Sequence, residues 1–189
     1  MHGFKSPQPF SRDGWIFELK WDGYRILASK HQLLTRNKKD ATKWYPEIIE
    51  ALGKLKGQFV IDGEVCLLDD RGLPRFEEMR SRTMRKRGEP VTFFAFDLLF
   101  LDGTDLRASS LRARKAHLKK LLPKKDEALV YVDYIEREGE FVFQHAMKAG
   151  MEGVMAKRAT SPYVGQRSRD WLKFKASGYH EGWERPKRR

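Results

Sequence analysis

The sequence predicts an α+β fold, with antiparallel-rich sheets and flanking helices around a cleft. Short apolar, β-branched and aromatic runs recur along the chain, separated by turn signals such as Asp22-Gly23. Helical stretches are interspersed without strict strand–helix alternation. The third observation is compositional. With 40% apolar residues in 189, the chain can build a core without disulfide or metal staples, burying about 70% of its unfolded surface.

Segment 15–20 (WIFELK) reads as the first strand, and turns at Asp22-Gly23 and Lys30 separate it from strands at 24–29 and 31–36. Segment 58–69 is a strand closing at the Asp70-Arg71-Gly72 turn. Further strands occupy 91–101 and 129–135, with shorter ones at 153–158 and 170–175. Among the helices, 45–55 starts with Pro46 near its first turn. Helix 110–122 offers Ser110 as N-cap and apolar Leu111, Leu118 and Leu122. Helix 140–150 ends at Gly150, a C-cap signal. Residues 1–14 read as an irregular lead-in, 15–176 as the domain and 177–189 as a basic tail.

Lys+Arg 38 against Asp+Glu 26 gives a net charge of +12, which points to a polyanionic partner. The charge is clustered. Residues 107–125 carry Arg107, Arg112, Arg114, Lys115, Lys119, Lys120, Lys124 and Lys125 with no acidic residue. Arg80, Arg82, Arg85, Lys86 and Arg87 form a second group, and Arg185, Lys187, Arg188 and Arg189 a third. A basic helix face is ordinarily solvated surface, but three such groups make a phosphate-backbone footprint the better reading. Cys66 is the single cysteine, which excludes an internal disulfide and a cysteine-cluster zinc site and predicts a reducing, cytoplasmic compartment, nucleoid-associated where the polyanionic partner is DNA. No apolar run approaches the ~18 residues of a membrane span, and the first residues lack a signal-peptide apolar stretch. Nor is there a glycine-rich Walker loop to hold phosphates.

Glu18-Leu19-Lys20-Trp21-Asp22-Gly23 ends the first strand at a tight turn, and alternation puts Glu18, Lys20 and Asp22 on one side, away from Trp21. A free lysine amine is neutral in only about one molecule in a few thousand at pH 7. Nucleophilic use of Lys20 therefore calls for neighbouring cations or a metal. Asp62-Gly63-Glu64 puts carboxylates at a strand bend, and Glu152-Gly153 puts another where a helix gives way to a strand. Lys173 and Lys175 share one strand face. Taken singly, each fits an ordinary half-exposed strand, and Phe96, among Phe93, Phe94 and Leu98, fits core packing.

In their order along the chain these segments resemble the covalent nucleotidyltransferases: ATP-dependent DNA ligases, RNA ligases and mRNA capping enzymes. Lys20-Trp21-Asp22-Gly23-Tyr24-Arg25 is similar to the family's first motif, and Thr35-Arg36-Asn37 to the short motif after it. Asp62-Gly63-Glu64 resembles the third, and the run from Phe94 through Asp97 the one that follows. The stretch from Glu152 to Lys157, then Trp171-Leu172-Lys173-Phe174-Lys175, resemble the last two. FELKWDGYR, FFAFDLLFLDGTDLR and SPYVGQRSRDWLKFK particularly resemble the adenylation (nucleotidyltransferase) domain in the ligase module of bacterial end-joining ligase D.

The resemblance implies an ATP-grasp-like ligase catalytic domain with ATP and Mg²⁺, or Mn²⁺ in its place, as cofactors. It implies that Lys20 attacks the ATP α-phosphorus, and that Lys173 and Lys175 neutralise the α-phosphate. Asp22 would orient Lys20 and assist sealing, and Glu152 would hold the metal. Arg36 and Glu64 match positions contacting the ribose and neighbouring phosphates, and Arg25 a position near AMP and the DNA 5′-phosphate. Phe96 matches the aromatic stacked on adenine, and Glu18 the acceptor from the adenine amino group. The implied partners are nicked DNA and other repair or end-joining proteins that supply missing domains. No small β-barrel (OB) domain follows Lys175 in this sequence, so self-adenylation and sealing are expected to be weak. An RNA ligase or RNA-capping guanylyltransferase is the alternative within the superfamily, and a non-catalytic nucleic-acid-binding module the alternative outside it.

Overall fold

A computed structural model describes residues 2–79 and 89–176. The Arg80–Arg87 group and the 177–189 tail lie outside the described residues. Two sheets face each other across a cleft. The first has the order β1-β11-β10-β2-β9, built from β1 (His2–Lys5), β2 (Trp15–Leu19), β9 (Ile135–Glu136), β10 (Gly153–Arg158) and β11 (Arg167–Lys175). The second runs β4-β3-β5-β6-β7, from β3 (Tyr24–Ala28), β4 (Leu33–Thr35), β5 (Phe59–Cys66), β6 (Thr92–Leu101) and β7 (Thr104–Asp105), with β8 (Leu129–Tyr131) parallel to β6. Among the described residues the parallel pairs are β6–β8 and β1–β11. Residues 2–5 are thus a strand, where the composition predicts an irregular lead-in. Backbone pairing to β11 supplies the order that the side chains do not announce.

Register sets the cleft wall. Glu18 of β2, Met155 of β10 and Lys173 of β11 lie in one row across the first sheet, and Ile16, Lys157 and Trp171 in the next. Alternate residues face the other way: Trp15, Phe17, Val154, Ala156 and Phe174 pack with Val142 and Ala146 of helix α3 (Gly139–Ala149). That helix ends at Gly150, whose φ of 82° satisfies the left-handed C-cap. In the second sheet Ile26, Ala28, Ile61, Val65, Phe93, Ala95 and Leu98 pack with Ile48 and Leu52 of helix α1 (Pro46–Gly53). The opposite face carries Arg25, Asp62 and Glu64 into the cleft. Gly23 lets β3 come that close to β5, since a Cβ there would lie 2.1 Å from the Val65 carbonyl oxygen.

Strict alternation along β6 would put Phe94, Phe96 and Leu98 on one face. Instead β6 carries two bulges against β5, its partners stepping from Asp97 to Ala95 and from Phe100 to Leu98. The extra residue at each step turns Leu98 into the α1-side core and leaves Phe94 and Phe96 together on the cleft side.

Helix α2 (Leu111–Leu121) starts at Ser110, whose side chain accepts from Ala113 N. Its buried stripe is Leu111, Arg114, Lys115 and Leu118. Arg114 and Lys115 are therefore not part of the basic surface, as their charge suggests, because they occupy the inward positions of an amphipathic helix. Arg114 donates to both oxygens of Asp97, at 2.7 and 2.9 Å, and to the carbonyls of Ser109 and Ser161. Burial pushes the Asp97 carboxyl up even against this arginine. No helix among the described residues is long and apolar enough to cross a membrane.

Removing one partner of this buried pair leaves an uncompensated charge, at a cost of about 3–5 kcal/mol. Asp97→Ala and Arg114→Met should each lower unfolding free energy by that order in urea titration. The double variant should lose clearly less than the sum, and additive losses would refute the pairing.

Candidate active site

Three charge clusters line the cleft. At one end, α3 gives way to β10 at Glu152, whose side chain is almost wholly buried. Lys20 Nζ meets one of its oxygens and Lys175 Nζ lies 2.5 Å from the other. Burial alone would raise the Glu152 carboxyl, but the two ammonium groups hold it below the usual carboxylate range. The Lys20 side chain is 20% exposed against 2% for Glu152, so the amine is the member of the pair that a cleft ligand reaches. Its turn is fixed from both sides: Lys20 N donates to the Gly153 carbonyl, and Trp21 stacks on Phe94 with ring centroids 3.5 Å apart. Lys173, one row along β11, is lowered by burial and by the neighbouring charges of Lys175 and Lys20.

The middle cluster belongs to the second sheet. Arg25 donates to both Asp62 oxygens, at 2.9 and 2.5 Å, and the Tyr163 hydroxyl donates to Asp62 at 2.9 Å. Burial would raise Asp62, but Arg25 brings it below the ordinary range. Glu64 faces Arg25 across the β3–β5 ladder. Burial pushes its carboxyl up to about 8, and the cations Lys20 and Arg25 only partly offset this against the repulsion of Asp62 and Asp22.

At the other end Glu18 is gripped by two buried lysines: Lys157 on one oxygen, Lys115 at 2.5 Å on the other. Glu18 Oε1 is buried and, although 2.5 Å from the Lys115 ammonium, receives no aligned hydrogen bond among the described residues. Phe96 is half-buried between these clusters. The Lys157 ammonium lies 4.5 Å and the Arg25 guanidinium carbon 5.6 Å from its ring centroid, and Trp171 meets it edge-on.

The fold thus brings Glu18, Lys20, Arg25, Glu64, Phe96, Glu152, Lys173 and Lys175 to one cleft, with Asp22 within electrostatic reach of Glu64. Arg36 is the exception. It is exposed in the turn after β4, and no side-chain partner holds it among the described residues. Four residues at the cleft have no site role in the sequence reading: Asp62 and Lys157, which appear there only within motifs, Lys115, which appears there only as basic surface, and Tyr163. Lys115 carried a signal, since Leu111, Arg114, Lys115 and Leu118 follow the spacing of an apolar stripe. Tyr163 carried none, because its role depends on a long-range contact to β5.

Residues 5–175 match the family described as the ATP dependent DNA ligase domain. The chain belongs to this ligase family. It is 37% identical over 186 residues to the multifunctional non-homologous end joining protein LigD of Pseudomonas aeruginosa, covering 93% of this chain and 22% of that protein. It is 32% identical to the SPbeta prophage-derived DNA ligase-like protein LigB of Bacillus subtilis, covering 96% of this chain and 67% of that one. Among solved structures it superposes on mycobacterial DNA ligase D complexed with ATP and MES with a TM-score of 0.77 at 33% identity, over 92% of this chain and 59% of that one. A Chlorella virus DNA ligase-adenylate, at 18% identity and a TM-score of 0.71, shares the ligase fold. The chain spans 22% and 23% of the length of the LigD relatives from P. aeruginosa and Mycolicibacterium smegmatis.

Glu64 makes stability pH-dependent in a definite direction. A carboxyl raised from 4.5 to about 8 stabilises the fold fully below 4.5, and that contribution is lost as pH rises through 8. Glu64→Gln, permanently neutral, should therefore gain melting temperature relative to the unchanged protein between these limits and level off above. A pH-independent difference would mean that Glu64 titrates normally.

Proposed function

We propose that this chain is the catalytic domain of an ATP-dependent DNA ligase acting in end joining or repair, with nicked DNA as substrate. The observation that carries this reading is the convergence of Lys20, Lys173 and Lys175 around Glu152. Three cations and one carboxylate at the mouth of a cleft suit phosphoryl transfer, where catalysis is mostly positioning and charge neutralisation.

In the first step the Lys20 amine attacks the ATP α-phosphorus. A P–N bond forms, the bond to pyrophosphate breaks, and the nitrogen gives up a proton to solvent. In the second, an oxygen of the DNA 5′-phosphate displaces the lysine, which leaves with a proton. In the third, the nick 3′-hydroxyl attacks the activated 5′-phosphate and AMP departs. Lys173 and Lys175 offset charge on the transferred phosphate throughout. Asp22 orients Lys20, Arg25 lies toward the AMP phosphate, and Glu64 reaches the ribose side, which Arg36, exposed in the turn after β4, would join only by swinging inward on ligand binding. The adenine ring stacks on Phe96, and its amino group donates to the Glu18 carboxylate.

Glu152 fits a hard cation, because Mg²⁺ is commonly bound by one or two carboxylates plus substrate phosphates. Groups of three or more potential ligands are absent among the described residues. Mg²⁺, or Mn²⁺ in its place, would supply charge neutralisation at the phosphates.

Intact-mass measurement after incubation with ATP and Mg²⁺ should show one added AMP, and GTP should add nothing. Lys20→Ala should abolish the adduct while leaving the melting curve in place. An adduct on that variant would falsify the assignment. Phe96→Ala should weaken ATP binding by ~1–3 kcal/mol through lost stacking. Calorimetric titration beside urea unfolding separates this from a packing role, for which stability would fall by ~3–5 kcal/mol with affinity intact.

A further inference from the structure

We propose that Lys115 is the positioning residue for base recognition. It sits on α2, outside every motif that marks the nucleotide cleft, and sets the Glu18 carboxylate and the Phe96 backbone against each other. The proposal rests on the reading of Glu18 and Phe96 as the adenine contacts.

The geometry of one ammonium group carries it. Lys115 Nζ is fully buried, 2.5 Å from Glu18 Oε1 and 2.8 Å from the Val132 carbonyl oxygen, with a longer contact of 3.4 Å to the Phe96 carbonyl. Tyr131 and Tyr134 close its remaining sides, their ring centroids at 4.7 and 5.3 Å. Glu18 belongs to the first sheet and Phe96 to the second. Lys115 therefore touches both proposed base contacts, the edge acceptor through its side chain and the stacking ring through its backbone.

Neutralisation does not account for it. Lys157 already pairs with Glu18, and one carboxylate is balanced by one lysine. A second ammonium at a fully buried point adds a desolvation cost that an apolar side chain in the helix stripe would avoid. What it adds is direction. With Lys157 on one oxygen and Lys115 on the other, the carboxylate cannot swing toward either lysine alone. Oε1 is held against the Lys115 ammonium, and a carboxylate oxygen so held keeps the capacity to accept a second donor. The same ammonium ties the Val132 segment and the β6 bulge at Phe96 to that oxygen.

The test compares ATP with purine riboside 5′-triphosphate, which differs only in lacking the 6-amino group, as donors for AMP-type labelling of Lys20. The unchanged protein should favour ATP in KM by about tenfold to a hundredfold, the range for one hydrogen bond to a charged acceptor. In Lys115→Met that ratio should fall to within about threefold of unity, with kcat at saturating ATP altered far less than KM. If Lys115→Met does not fold, Lys115→Arg serves. Its planar guanidinium keeps the charge but cannot present one donor atom to all three oxygens, so the ratio should fall there too. A folded variant that keeps the unchanged protein's ratio overturns the proposal, and so does an equal rise in KM for both nucleotides, which marks a merely structural lysine. Failure of the underlying reading looks different: the unchanged protein would take up no label, or would label equally well from both nucleotides.

Discussion

Four carboxylates lie between the two sheets with almost no contact with water: Glu18, Asp62, Asp97 and Glu152. Each would be expensive to bury alone, so each holds a cation or two in place. Glu152 takes Lys20 and Lys175, Asp62 takes Arg25, Asp97 takes Arg114, and Glu18 takes Lys157 and Lys115. Folding thereby decides where the positive charges of the cleft stand before any ligand arrives. An anion entering the cleft would meet groups already held in place, the condition under which fixed charges act most strongly.

The same pairing joins the halves of the domain. Tyr163, from the β10–β11 connection, reaches Asp62 on β5. Arg114 bridges Asp97 on β6 and the Ser161 carbonyl of that connection. Lys115 spans Glu18 and the Phe96 backbone. These links are polar and directional, so they fix the spacing of the two sheets more narrowly than apolar contact would.

Most of the fold was legible because strands and helices announce themselves by period and punctuation. Ser110 and Gly150 cap the helices they were expected to cap, and β2, β3, β5 and β6 fall within the runs that suggested them. Legibility failed where tertiary contact overrides local pattern. β1 has no distinctive composition and exists through pairing with β11. The bulges that turn Leu98 away from Phe96 are a property of two strands together. Arg114 and Lys115 looked like surface charge because residue type was weighed above position, although their spacing with Leu111 and Leu118 put them inward. Lys20 and Glu152, 132 positions apart, could be placed together only through resemblance, since no local rule connects them.

The parallel strand β1 is the outer neighbour of β11, and Ser6 N donates to the carbonyl of Lys173 itself. The backbone that presents the two cleft lysines is therefore flanked by ladder bonds on both sides, one side supplied by the first few residues of the chain. Trimming those residues would leave β11 as an open edge with unpaired amide groups, a template on which a second chain could pair. A change made in β1 is therefore a change next to Lys173.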